Sequence, residues 1–311
     1  MAAGKSLPLW LMVTLFLLLM GLLAIAMISE MSDVRTKMTS LRTARRTHTV
    51  QRQQAPTLAP VTARKAIPAS KAIASARPAA GIALIIDDVG YNLPALQRIL
   101  RLNVPVAISI IPDAPYARRA AIITRRAEQM VMLHLPMQPE SKKYSLRMNN
   151  AFLKTTMDKA QLRDTFLKDL ALVPYVQGVN NHMGSALTQM EQPMRWVMQV
   201  CREHELFFVD SMTSAKSVAY RIAAKMGLER ASRRFFLDDD LHTPALRAAW
   251  EKVRTCARKG YRCIVIGHPH PQTITFLEDY LSAKDRTMIV PLKGLLHPAS
   301  GQLSNGMAVA R

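Results

Sequence analysis

The sequence predicts an α/β fold, an irregular (β/α) barrel of seven or eight strands, and two observations lead there. From about residue 80, apolar runs of strand length alternate with amphipathic stretches of helical period, the alternation produced by successive βαβ units. Five of the runs also end in a polar residue suited to metal or acid/base chemistry. They are Ala83-Leu84-Ile85-Ile86-Asp87-Asp88, Val131-Met132-Leu133-His134, Gly178-Val179-Asn180-Asn181-His182, Phe207-Phe208-Val209-Asp210 and Ile264-Val265-Ile266-Gly267-His268. A parallel sheet gathers the carboxyl ends of its strands on one rim, where residues distant in sequence meet.

Taken in order, the apolar runs place strands at 82–86, 105–111, 131–135, 176–180, 206–209, 234–237 and 262–266, with a last one near 287–290. Between them, Leu96, Ile99 and Leu100 share one face of a helix over 93–102, and Leu162, Phe166 and Leu170 share one face over 158–172. Thr243 reads as an N-cap, with Pro244 in the first turn, Leu246 and Trp250 as the apolar stripe and Gly260 as the stop. Seven or eight such units suit a distorted barrel better than an open sheet.

At 311 residues and 49% apolar composition, the chain has material for one large core plus appendages. Leu7 to Ile28 is an almost unbroken apolar run, close to the ~20 residues that cross a bilayer. Residues 1–28 are therefore expected to be a transmembrane anchor in the inner membrane, or a signal peptide cleaved after Ala26 at the small-x-small sequence Ala24-Ile25-Ala26. Lys5 stands against Arg35, Lys37, Arg42, Arg45 and Arg46 beyond the run, which by itself favours the opposite orientation. Long domains translocate largely regardless of such charges, so the folded part is expected in the periplasm or another extracytoplasmic space.

The positive charge is densest before the folded part: of the net +20, ten Lys and Arg lie between 31 and 80, where Asp33 is the only acid. Pro56, Pro60, Pro68 and Pro78 are scattered through the same region, so 29–79 reads as a basic linker whose sharper role is contact with anionic lipid or wall polymer. It lacks interleaved aromatic residues, which argues against nucleic acid as partner. The domain is expected over 80–296, followed by a loose tail at 297–311. Cys256 and Cys263 flank Lys259-Gly260, so a local disulfide and two buried thiols both stay open, and Cys201 is the odd one out.

Asp87-Asp88 closes an apolar strand, and adjacent carboxylates there repel unless a cation or hydrogen bonds compensate. One can bind metal while the other accepts a proton; the competing reading is an Asx-type cap of the next helix. His134 and His182, each at a strand end, complete a two-histidine, one-carboxylate set for a divalent metal, where a lone histidine would be structural. His268 is suited to protonate a leaving amine, and Asp210 to orient it. Asp238, in Asp238-Asp239-Asp240, reads better as a helix cap, with a site role kept open because it ends a strand. No G-x-S-x-G elbow, Walker loop or dinucleotide fingerprint occurs, which leaves metal-assisted hydrolysis.

At Ile85-Ile86-Asp87-Asp88-Val89-Gly90, Leu133-His134-Leu135-Pro136-Met137, Asn181-His182-Met183-Gly184-Ser185, Phe208-Val209-Asp210-Ser211 and Ile266-Gly267-His268-Pro269, the chain resembles the divergent polysaccharide deacetylases, relatives of the NodB-type carbohydrate esterases. The resemblance covers roughly 80–296. It implies a divalent metal, zinc in the usual case, with Asp88, His134 and His182 as ligands, Asp87 as catalytic base and His268 as general acid. The implied substrate is an acetylated envelope glycan. One departure matters: NodB-type enzymes carry both metal histidines in one His-x-x-x-His segment, whereas here Gln138 stands four residues after His134. Two functions follow, a metal-dependent N-deacetylase and a tethered glycan- or protein-binding scaffold that keeps the barrel without turnover.

Overall fold

Gly81-Ile82-Ala83-Leu84-Ile85-Ile86 opens β1 (Gly81–Val89), apolar on both faces and buried along its length, as a central parallel strand must be. The structure, a computed structural model, describes residues 80–299. The expected membrane segment, the basic linker and the end of the tail lie outside the described residues. Among the described residues no helix is long and apolar enough to cross a membrane.

After β1 come α1 (Leu93–Leu100), β2 (Val106–Ile110), α2 (Ala117–Arg126), β3 (Met130–Met137), the short α3 (Lys142–Ser145), α4 (Lys159–Leu172), β4 (Gly178–Met183), α5 (Glu191–Glu203), β5 (Phe207–Asp210) and α6 (Ala219–Lys225). The rest comprises β6 (Arg230–Ser232), β7 (Phe235–Phe236), α7 (Thr243–Arg258), β8 (Arg262–Gly267), α8 (Pro271–Tyr280), α9 (Ala283–Met288) and α10 (Leu292–Leu295). The sheet order is β6-β5-β4-β3-β2-β1-β8-β7, and every pairing is parallel. That is the cyclic order of an eight-stranded barrel with one pairing, β6 to β7, missing. Only Arg233 and Arg234 separate Ser232 from Phe235, so three Cα steps hold the two sheet edges within about 11 Å of each other. The predicted irregular barrel is thus a curled sheet that stops one ladder short of closure.

Strand alternation sorts the core into two layers. Ile82, Leu84 and Ile86 of β1 face the helices, together with Leu133, Val179, Phe208 and Val265. Ala83 and Ile85 face the barrel interior, with Ala107, Met132, Phe207, Val209, Ile264 and Ile266, and α10 adds Leu292 and Leu295 to that inner layer. Leu162 and Phe166 of α4 are fully buried, and the helix starts on a reciprocal capping box between Asp158 and Gln161.

Two local expectations are corrected. No strand forms at 287–290, because a Ser282–Asp285 capping box starts α9 and leaves Ile289 a single bridge to Ile82. His242 rather than Thr243 is the N-cap of α7. The tail is held at its start, where His297 and Arg230 exchange backbone hydrogen bonds of 2.7 and 3.1 Å. Cys256 and Cys263 form a disulfide between α7 and β8, and Cys201 is a buried thiol whose pKa burial pushes up.

Candidate metal centre

The inward rows of β1, β3, β4 and β8 each end at the rim in a titratable side chain. Ala83 and Ile85 lead to Asp87, Met132 leads to His134, Gly178 and Asn180 lead to His182, and Ile264 and Ile266 lead to His268. Alternation alone would turn Asp88 outward, toward the helices. A register shift between Ile86 and Val89 and a left-handed backbone at Asp88, φ 54°, re-aim it to the rim. That conformation costs a non-glycine residue about 1–2 kcal/mol, and Met183, directly after His182, repeats it with φ 53°. Gly90 completes the turn at φ 129°, where a Cβ would stand 2.6 Å from that of Ala114.

Asp88 Oδ1 lies 3.2 Å from His134 Nε2 and 2.9 Å from His182 Nδ1. The three atoms lie within 4.8 Å of one another, and Asp88 Oδ1 is a buried oxygen with no properly oriented hydrogen-bond donor. One carboxylate oxygen and two imidazole nitrogens converging in this way fit a divalent cation and leave coordination positions open. Burial works to raise the Asp88 carboxyl, but His134 and His182 prevail and hold it well below the usual carboxylate range. Burial likewise opposes a proton on His134, yet Asp87 and Asp88 pull its pKa above the ordinary value.

Asn180 joins this cluster to Asp87 and was not singled out from the sequence. Its Nδ2 donates to Asp87 Oδ1 and Oδ2 at 2.9 and 3.0 Å, and its Oδ1 lies 2.9 Å from His134 Nδ1. With the amide nitrogen committed to the carboxylate, Oδ1 is an acceptor, so His134 donates from Nδ1, which leaves Nε2 as the nitrogen that would ligate a metal beside Asp88 once it gives up its proton. Ser109 also donates to Asn180 Oδ1. The readable signal was spacing: Asn180 is two residues before His182 and shares its face of β4. Asp87 itself is almost fully buried, and that burial raises its carboxyl against the pull of His134, Asn180 and His268.

His268 is paired, but with Asp238 instead of Asp210. Asp238 accepts from the His268 backbone N–H at 2.6 Å, from its Nδ1 at 2.9 Å and from Thr273 Oγ1 at 2.8 Å. Burial lowers the imidazole pKa, and the Asp238 carboxylate, aided by Asp87 and Asp88, outweighs it and lifts the pKa to about 9. Asp210 takes Ser217 Oγ and the backbone N–H groups of Met212 and Tyr220 instead, on the outward row of β5 beside the start of α6. The expected Asp210–His268 pair is therefore corrected: the acid that engages His268 is Asp238, the alternative site residue at the end of its strand. His270 packs beside His268 at 5.8 Å between ring centroids and is exposed.

The His-x-x-x-His departure has a geometric counterpart. His182 stands on β4, in register with Pro136, two residues beyond His134 on the adjacent strand. A neighbouring strand thus brings a second imidazole beside the first, with ring centroids 5.0 Å apart.

Comparison with known proteins agrees with this fold. The profile of the divergent polysaccharide deacetylases matches residues 84–296. An uncharacterized protein of Haemophilus influenzae is 36% identical over 197 residues, spanning 63% of this chain and 69% of that one. The uncharacterized protein YibQ of Escherichia coli is 34% identical over 197 residues, spanning 63% of this chain and 61%, under two thirds, of its own length. The crystal structure of an uncharacterized Agrobacterium tumefaciens protein shares the fold, with a TM-score of 0.64 at 19% identity over 71% of this chain and 92% of that one. The chain belongs to the divergent polysaccharide deacetylase family.

Proposed function

We propose that the protein is a metal-dependent hydrolase of the cell envelope that removes N-acetyl groups from an acetylated polysaccharide or from peptidoglycan glycan. The observation that carries this reading is the presence, on one rim, of a metal-fit triad, a buried carboxylate and a carboxylate-paired imidazole. Asp88, His134 and His182 would hold the metal, zinc by its ligand preference, which when bound supplies Lewis acidity to the acetamide carbonyl and the attacking water.

The chain's own groups perform the proton transfers. Asp87, oriented by the Asn180 amide, accepts the proton of water as its oxygen adds to the carbonyl carbon. His268, with Nδ1 engaged by Asp238, donates from Nε2 to the amine nitrogen as the C–N bond breaks. The acetamido group and water become acetic acid and an amine, which ionise to acetate and ammonium; Asp87 has gained one proton and His268 has lost one, so transfer of one proton from Asp87 to His268 by way of solvent resets the site. A pKa near 9 keeps His268 charged at neutral pH, ready to donate.

Extracytoplasmic placement is supported by the Cys256–Cys263 disulfide, which persists in oxidising compartments. The apolar 7–28 run supports attachment to the inner membrane or export with cleavage after Ala26, and the basic 29–79 segment supports contact with anionic lipid or wall polymer. Acetate release from acetylated envelope glycans by the full-length, zinc-supplied protein tests the reaction. Asp87→Asn is expected to abolish release while keeping the metal. Release unchanged by that substitution rules out Asp87 as the base.

A further inference from the structure

Some arginines of the domain meet carboxylates, as Arg98 does Glu278, Arg221 Glu191 and Arg254 Asp285, each at 2.6 Å. Those gathered at the seam where β6 and β7 fail to pair have no such partner among the described residues. A cavity of about 440 Å³ opens there, lined among others by Ser232, Arg233, Arg234, Tyr261, Arg262 and His297, and among the described residues no carboxylate lines it. Arg262 Nη1 finds only a neutral acceptor, His297 Nδ1, at 2.9 Å. The Arg234 guanidinium stacks on the Tyr261 ring, 5.0 Å from its centroid, with no acidic partner among the described residues. Arg233 is committed elsewhere, to the carbonyls of Ser211 and Met212.

The guanidinium and imidazole groups at the cavity are donors, beside the hydroxyls of Ser232 and Tyr261, which both donate and accept. With Nδ1 accepting from Arg262, a neutral His297 carries its proton on Nε2 and is a donor, as are the remaining N–H groups of Arg262 and those of Arg234. Burial, followed by the charges of Arg262 and Arg230, lowers the His297 pKa, which keeps that ring neutral. The wall is fixed in place, because His297 is bridged to Arg230 and the Arg230 guanidinium donates to Pro298 O at 2.9 Å. Guanidinium charge gathered at a cavity that no described carboxylate lines favours an anion there. A tetrahedral oxyanion presents enough oxygens to satisfy two guanidinium forks and an imidazole N–H together, which a carboxylate's two oxygens do not.

We propose that the seam cavity binds a phosphoryl group, held by Arg234 and Arg262 with neutral His297 as a third donor. The site is separate from the metal centre: Arg262 pairs with Gly81, at the opposite end of β1 from Asp88. It is independent of the deacetylase reading. The ligand is either a soluble phosphate monoester or the phosphodiester of a lipid headgroup, the two sources sharing this chemistry.

The test is titration of inorganic phosphate into full-length, chelator-treated protein at constant ionic strength, with chloride as control, read by calorimetry and by Tm. Saturable binding and a rising Tm are expected. Arg262→Gln and the exposed-side-chain variant Arg234→Gln should each weaken binding about tenfold or more, while Asp88→Asn leaves it unchanged. A soluble glycerophosphodiester that binds as well as glycerol phosphate identifies the headgroup source, and preference for the monoester identifies the soluble one. No saturation below about 10 mM phosphate, or binding that survives both arginine substitutions in folded protein, overturns the proposal.

Discussion

Replacing Asp238 by asparagine removes the charge that holds His268 protonated while keeping the size of the side chain. The His268 side chain is 25% exposed and its pKa stands at about 9 against an ordinary 6.5. That rise corresponds to about 3 kcal/mol favouring the imidazolium. Burial acts in the other direction, while Asp87 and Asp88 still pull upward, so in Asp238→Asn the pKa should fall well below 9. NMR titration of the His268 ring in metal-free protein reads both values directly. The sign in stability follows from a folded-state pKa raised above the unfolded one. The pair's contribution is fully present below pH 6.5 and is lost as pH climbs through about 9, so the variant should be destabilised most below pH 6.5 and converge on wild type above pH 9. A wild-type His268 midpoint near 6.5, or one that Asp238→Asn leaves in place, refutes the reasoning.

Further outcomes follow from the same structure. Asn180→Leu strands the Asp87 carboxylate and the His134 Nδ1 donor, and should weaken zinc binding 10- to 100-fold, about 1.4–2.7 kcal/mol, in a chelator competition; unchanged affinity contradicts the role given to Asn180. Cys256→Ser with Cys263→Ser opens a short loop of sequence separation 7, and should cost about 2.5 kcal/mol of unfolding free energy with zinc stoichiometry intact. Stability equal to wild type shows that the disulfide does not constrain the unfolded chain.

Most of the barrel is legible in the sequence because its parallel strands are apolar on both faces, and such runs stand out. β6 is not, since Arg230-Ala231-Ser232 is a three-residue edge strand with no apolar run of its own. Apolar content misleads at 287–290, where the Ser282–Asp285 box sets the helix and the apolar residues pack at its end. The metal triad is legible because each member closes a strand. The partner of His268 is not, because Phe207-Phe208-Val209-Asp210 and Phe235-Phe236-Leu237-Asp238 are nearly the same string. What separates them is the neighbouring strand: β7 pairs with β8, which leads to His268, whereas β5 lies between β4 and β6. Local pattern carries no information about which strands become neighbours across the sheet. The bulge that turns Asp88 inward is equally invisible, since it resides in a backbone angle that aspartate tolerates but does not demand.

The central claim is that Asp88, His134 and His182 form one divalent-metal site, and metal content of the purified full-length protein tests it most directly. Zinc supplied to wild type and to folded Asp88→Asn, His134→Ala and His182→Ala variants, followed by elemental analysis, should give about one ion per chain in wild type and loss of that ion in all three variants. Metal-free wild-type protein after zinc supply, or an ion retained by all three variants, contradicts the account.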